Sequence, residues 1–323
     1  MKRKRKRLQK AGWILLSVLL VLMLLPYLIP LSAPAAVLPQ PPFSNSAFDQ
    51  VNNVSFHYRV FEPMGTPKAK LLLLHGLGGS TFSFEEAAPK LSQQGILVLA
   101  VDLPGFGYSA RTPDYDHSQA HRAKNVWQLL TQVDARLDAQ TAELPWHLAG
   151  HSMGGGTAAA MAIAQPQRAA SLILIDAALF ETARGGFLMD FPPLSRLLQV
   201  AAEHLFLTEG RVTSFLTSAY GKAPTPAQVR GYLTPLRLPG TALAFSNMVK
   251  TAKNEDAGKL ADINTPLLAV WGSEDTWVPL AQLEQIKQIR PDTQAHIIQG
   301  AAHCPMETHP DQFVTILSDW LLQ

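Results

Sequence analysis

The chain has 323 residues, 47% of them hydrophobic, which suits one large domain or two small ones with a buried core. Its formal net charge of +2 hides a split: seven basic residues, Lys2 to Arg7 and Lys10, precede the first acid, and the remaining 20 basic residues face 25 acidic ones, net −5. That balance argues against nucleic acid as a partner, and the single Cys304 excludes an internal disulfide or a cysteine-built metal site.

Residues 1–10 form the basic segment. Ala11 to Ile29 is a 19-residue run without a charge, about the length that crosses a hydrocarbon core as a helix. A cleaved signal peptide would have a shorter apolar core, about 7–15 residues, although Ala33-Pro34-Ala35 loosely resembles a cleavage site. The run is therefore read as a single-pass signal-anchor that contacts membrane lipid. The cationic flank stays in the cytoplasm and the bulk of the chain lies on the periplasmic or extracellular side. Trp13 and Tyr27 sit near its two ends, and Pro26 and Pro30 are expected to kink or end it. Residues 30–48 hold several prolines and no charge, and read as a linker. Residues 49–323 read as the catalytic domain.

Val54 to Phe61 alternates with period two, as a half-buried strand does. Lys70 to His75, Ile96 to Val101, Leu148-Ala149, Leu172 to Ile175 and Leu267 to Trp271 are short apolar runs suited to strands buried on both faces. Helical stretches lie between them at about 84–94, 118–140 and 155–165. The alternation predicts an α/β fold, a mostly parallel central sheet with helices on both faces. Ligands of such sheets bind at the carboxyl ends of the strands.

The motifs sit at those ends. Gly150-His151-Ser152-Met153-Gly154 stands between an apolar run and a small-residue helix, the strand–turn–helix setting of a nucleophile elbow. There the serine oxygen is exposed at a helix N-terminus, where the dipole favours developing negative charge. His75-Gly76-Leu77-Gly78-Gly79-Ser80 is a glycine-rich turn; the backbone N–H of Leu77 and that of Met153 are candidates for an oxyanion hole. Asp102-Leu103-Pro104-Gly105-Phe106-Gly107 follows the next strand, and Asp102 reads as a turn or capping residue. A serine nucleophile needs a base, and the base needs an acid to fix its tautomer. His303 is the candidate base, with His309 its rival before Pro310; Asp275 is the candidate acid, with Asp176 and Glu274 as rivals. His151 is expected to shape the pocket wall.

With these residues in view, the chain resembles the capped α/β-hydrolases with a serine nucleophile, over about 54–323. The matching stretches are His75-Gly76 with Gly78-Gly79, Asp102 to Gly107, Gly150 to Gly154, Gly272-Ser273-Glu274-Asp275 and Gly300-Ala301-Ala302-His303. The order Ser152…Asp275…His303 is that of the fold. The family often carries a glutamate five residues after the histidine; here that place is Thr308 and the acid is Glu307. The resemblance implies a helical cap at about 178–265, inserted after the sixth core strand. Its aromatic and sulfur side chains include Phe180, Phe187, Met189, Phe191, Phe206, Phe215, Tyr220, Phe245 and Met248, a minority of which are expected to line an apolar pocket.

The implied activity is hydrolysis of a small-molecule carboxylic ester, apolar or lipid-like, through an acyl-enzyme, by a monomer without cofactor or metal. Dehalogenase and epoxide-hydrolase relatives use an aspartate nucleophile, against Ser152. Ring-cleavage C–C hydrolases often carry Trp directly after the histidine, where this chain has Cys304. Acyl transfer and perhydrolysis would use the same residues. A non-catalytic binding protein usually loses one of the three, and a membrane-tethered scaffold needs none of them.

Overall fold

The computed structural model describes residues 2–33, 41–180 and 190–323. Eight strands form one sheet in the order β1-β2-β4-β3-β5-β6-β7-β8. They are β1 Ser46–Val51, β2 Val54–Phe61, β3 Ala69–Leu74, β4 Ile96–Val101, β5 Trp146–His151, β6 Ala169–Ile175, β7 Leu267–Gly272 and β8 Gln294–Ile298. β2 runs antiparallel to β1 and β4, and every later pairing is parallel. The helices are α1 Lys2–Leu28, α2 Ala88–Ser92, α3 Gln119–Asp134, α4 Ala139–Glu143, α5 Met153–Ala164, α6 Pro192–Ala201, α7 Glu209–Tyr220, α8 Pro226–Leu236, α9 Thr241–Thr251, α10 Leu280–Ile289, α11 Pro305–Thr308 and α12 Pro310–Leu321.

β3, β4 and β7 are buried along their whole length, because helices cover both faces of the sheet. Side chains alternate across it. Leu72 and Leu74 join a core with Trp127, Leu130 and Met161 from α3 and α5, whereas Leu71 and Leu73 join one with Leu91, Phe313 and Leu317 from α2 and α12.

Two local expectations change. β1 takes in Ser46-Ala47-Phe48, the last three residues of the linker stretch, because they pair in register with Tyr58 and its neighbours of β2. The helix expected over about 84–94 is broken into a 3-10 turn, Thr81–Phe84, and the single-turn α2, which has Pro89 near its start. α1 passes Pro26 and ends at Leu28, two residues before Pro30, near the outer end where the prolines are expected to stop it. Its final carbonyls are bound by another element: Arg196 of α6 donates to the carbonyls of Pro26 (3.1 Å) and Ile29 (2.6 Å). A cation at a helix C-terminus also suits the helix dipole. The backbone N–H and hydroxyl of Ser32 donate to Glu203, which fixes the segment after α1 against the turn after α6.

Gln9–Leu28 is long and apolar enough to cross a membrane. Its side chains meet little protein: Trp13 is 69% exposed and Leu28 79%. Between β6 and β7 lie α6 to α9. Of the aromatic and sulfur side chains marked there in the sequence, Phe187 and Met189 lie outside the described residues, as does Pro34-Ala35 of the cleavage-like site.

Candidate active site

Ser152 joins β5 to α5 at φ 51°, ψ −118°. Few side-chain-bearing residues adopt a positive φ, and holding one there costs about 1–3 kcal/mol. The glycines around it explain how the turn persists. A Cβ on Gly150 would lie 2.2 Å from the Gly154 carbonyl oxygen, and one on Gly154 would lie 2.4 Å from the Leu74 carbonyl oxygen. No side-chain atom fits at either place, so the start of α5 sits directly on the ends of β3 and β5. The Ser152 N–H donates to Ile175 (3.0 Å), and its carbonyl accepts from Gly155 (2.9 Å) and Ala178 (3.1 Å).

His303 and Asp275 come together from the loops after β8 and β7. His303 Nδ1 donates to Asp275 Oδ2 at 2.8 Å, while Asp275 Oδ1 accepts the N–H groups of Trp277 (2.8 Å) and Val278 (3.0 Å). Burial alone would raise the Asp275 carboxyl, but its bond and charge interaction with His303 and the Val278 N–H outweigh this and hold it below the usual range. A proton on Nδ1 leaves the Nε2 lone pair free to act as a base.

Ser152, His303 and Leu77 line one cavity of about 150 Å³, walled by Gly76, Phe215, Tyr232 and Trp277 among others. Met153 follows Ser152 as the first residue of α5, and an N–H at that position has no acceptor within its own helix. A second, apolar cavity of about 300 Å³ shares Leu77 and Phe215 with the first and extends along Phe206, Val212, Leu236 and Phe245.

The rival residues occupy other places. Glu274 is exposed. His309 caps the start of α12 and bonds Thr308 through Nδ1 (3.0 Å). Asp102 is buried, accepts the N–H groups of Thr81 (2.6 Å) and Tyr108 (2.7 Å), and pairs with His57 at 2.6 Å. It braces its own loop. Asp176 stands beside Asp275 rather than against His303. One oxygen of each acid and a ring nitrogen of His303 lie within 4.8 Å of one another, a spacing that also suits metal ligands. Here Asp275 and His303 direct those atoms at each other.

Several contributors have partners that the sequence does not reveal. Trp277 lies on His303, with ring centroids 5.1 Å apart, and Phe215 packs edge-on to Trp277. His151 Nε2 donates to the His303 carbonyl at 2.7 Å, and burial drives its pKa down to about 3, so it stays neutral. Both act through the fold; Trp277 is marked in the sequence only by nearness to Asp275, whereas His151 belongs to the serine motif and lines the cavity wall. Glu307, from α11, is buried and accepts the hydroxyls of Tyr220 on α7 (2.6 Å) and Tyr232 on α8 (2.5 Å). It thereby ties the segment that carries His303 to the helices above the site.

A sequence profile described as the alpha/beta hydrolase fold matches residues 70–310. Lipase 3 of Moraxella sp. (strain TA144) is 29% identical over 245 residues, covering 73% of this chain and 72% of that one. The pimeloyl-[acyl-carrier protein] methyl ester esterase of Aeromonas hydrophila is 26% identical over 253 residues, 78% of this chain and 94% of the relative. Among solved structures, a membrane phospholipase A described as a bacterial virulence factor superposes with a TM-score of 0.68 at 24% identity, over 98% of both chains. At that identity the superposition shows the shared fold.

The Glu307 cluster has a pH signature. Burial pushes its carboxyl up to about 7, against the lowering by the two tyrosine hydroxyls. A carboxyl raised in the folded state ionises first in the unfolded chain, so stability falls as pH rises from the unfolded value to about 7, and then levels. The melting temperature should therefore fall between pH 5 and pH 8, and Glu307→Gln should flatten that part of the fall. An identical slope in the variant would contradict it.

Proposed function

The chain belongs to the α/β-hydrolase family, and from that membership we propose that it hydrolyses carboxylic esters with Ser152 as nucleophile, His303 as base and Asp275 as acid. That it is a hydrolase rests on the family and on the lipases and esterases among its relatives. The observation that carries the finer reading is one cavity holding both Ser152, on its strained turn, and a histidine whose Nδ1 is already bonded to a buried carboxylate.

In this reading Ser152 Oγ attacks the ester carbonyl carbon as its proton passes to His303 Nε2. Asp275 stabilises the imidazolium through Nδ1 and keeps its own negative charge. The backbone N–H groups of Leu77 and Met153 donate to the carbonyl oxygen as it becomes an oxyanion, helped by the positive end of α5. Collapse breaks the bond to the alcohol oxygen, which takes the proton from His303. Water, deprotonated by the same imidazole, then releases the acid and restores Ser152.

The substrate class we infer is an ester with an extended apolar acyl chain. The apolar cavity that meets the first at Leu77 and Phe215 supports it, having room for a chain but few polar groups to hold anything else. The position of α1 supports it too. Arg196 and Glu203 tie the end of α1 to α6 and its following turn, where Leu197, Leu198, Leu205 and Phe206 are exposed. Phe206 also lines the apolar cavity. With α1 across a bilayer these side chains lie at its surface, and the cavity mouth lies close to lipid. The Moraxella lipase is a relative whose name agrees with a lipid-like ester. The basic flank of α1 supports a cytoplasmic N-terminus with the catalytic domain on the periplasmic or extracellular side.

Two expectations follow from this chemistry. Asp275→Asn keeps the shape of the acid but favours the wrong imidazole tautomer, so kcat on a series of p-nitrophenyl esters should fall on the order of 10⁴-fold; in the wild type, kcat/KM should rise from acetyl to longer acyl chains. A mild loss, or a preference for acetyl, would refute the acid assignment or the chain preference respectively. For topology, a phosphatase reporter fused after Gln323 should be active only outside the cytoplasm. Activity of a cytoplasm-dependent reporter there, or a mature protein beginning near Ala36, would overturn the anchored arrangement.

A further inference from the structure

Asp176 ends β6 much as Ser152 ends β5. Its side chain is fully buried, and its backbone is held at φ 41°. Oδ1 accepts the Gly272 N–H at 2.9 Å. Oδ2 is buried and has no hydrogen-bond partner. A buried carboxylate oxygen without a donor carries a full desolvation penalty.

Its surroundings explain that orphaned atom. Asp275 lies across from it, with an oxygen of each acid and a ring nitrogen of His303 within 4.8 Å of one another. Asp275 already accepts two N–H groups on Oδ1 and His303 on Oδ2. The titratable groups facing this corner are Asp275, His303 and the Cys304 thiol, with His151 behind His303. Burial first, and then the nearby acids, keep Cys304 a neutral thiol, and His151 is neutral as well. Among the described residues no lysine or arginine pairs with Asp176. Two ionised carboxylates this close in a buried corner repel each other, so such pairs hold a proton between them.

We propose that Asp176 carries a proton and donates it as a hydrogen bond to Asp275, so that Asp176, Asp275 and His303 form a chain with one negative charge. This rests on the reading of Asp275 and His303 as the acid and base of Ser152. The proton turns the orphaned acceptor into a donor, and in the resting site no bond is made or broken. Burial, followed by the charge of Asp275, drives the Asp176 carboxyl well above its usual range, in agreement with the geometry. Asp176 touches no substrate and is a positioning residue. Its hydrogen bond draws charge from Asp275, makes that carboxylate a weaker base, and so helps set the acid limb of the pH–rate profile. The same two acids seen in the sequence as rivals thus have different protonation states and different tasks.

The test combines infrared spectroscopy with pH profiles of kcat/KM on a short-chain p-nitrophenyl ester. In a Glu307→Gln background, where that buried acid cannot contribute, the protein at neutral pH should show the carbonyl stretch of an un-ionised carboxylic acid, and adding Asp176→Asn or Asp176→Ala should remove it. Asp176→Ala removes the donor, so kcat/KM should fall about tenfold or more, as for a hydrogen bond to a charged group, and the acid limb should move to higher pH as Asp275 becomes more basic. The amide of Asp176→Asn can still accept from Gly272 and donate to Asp275, so it should restore most of that loss and keep the acid limb in place. If Asp176 were instead ionised, Asp176→Asn would remove an anion and move the acid limb to lower pH. That shift, or the absence of the band from the Glu307→Gln protein, would overturn the proposal. Should Asp176→Ala fail to fold, the band and the Asn profile still decide. The band is read without turnover, so a Ser152→Ala protein that keeps wild-type turnover would refute the nucleophile while leaving the Asp176 proton standing.

Discussion

The backbone of α5 rests on the ends of β3 and β5 with no room for a side-chain atom between them. Gly150 and Gly154 are the two residues at which this contact is made, each meeting a carbonyl oxygen where a Cβ would stand. Much of the site depends on it. The close approach forces the chain to turn within one residue, Ser152, and puts that residue at φ 51°. The same contact brings the N-terminus of α5 level with the turn that carries Leu77. A larger residue at either glycine would lift the helix away and separate the serine from that turn.

Around this fixed centre the remaining parts are tied by polar contacts between elements far apart in sequence. Asp275 and His303 come from two loops, and each is held by backbone as well as by the other: Asp275 by the N–H groups of Trp277 and Val278, His303 by the Ala219 carbonyl and by His151. Glu307 joins α7 and α8 to the His303 segment through two tyrosine hydroxyls. The helices over the site are bonded in turn to the end of α1. A continuous set of contacts thus runs from the apolar N-terminal helix, through α6 to α9, to the histidine beside Ser152.

Much of this was legible in the sequence because the signals are local. A glycine two residues to either side of a serine, after an apolar run and before small residues, marks the elbow, and unbroken runs such as Leu71 to Leu74 mark strands covered on both faces. β1 escaped because Ser46-Ala47-Phe48-Asp49-Gln50 is mostly polar and its evidence lies in its pairing with β2. The choice between Asp176 and Asp275 was open for a similar reason: both end strands, and only the three-dimensional path of the loops shows which oxygen meets His303 Nδ1. Trp277, His151 and Glu307 act through a carbonyl, a ring face or a hydroxyl supplied by a distant segment, and no spacing in the chain encodes that.

The proposed ester hydrolysis depends on Ser152 being an activated nucleophile. The direct measurement is to treat the intact protein with a fluorophosphonate, follow the loss of ester turnover, and map the adduct by mass spectrometry. The account requires one adduct per chain, on the peptide containing Ser152, formed in step with the loss of activity and absent from a folded His303→Ala variant. Rapid labelling of that variant, an adduct on another residue, or inactivation without modification of Ser152 would contradict it.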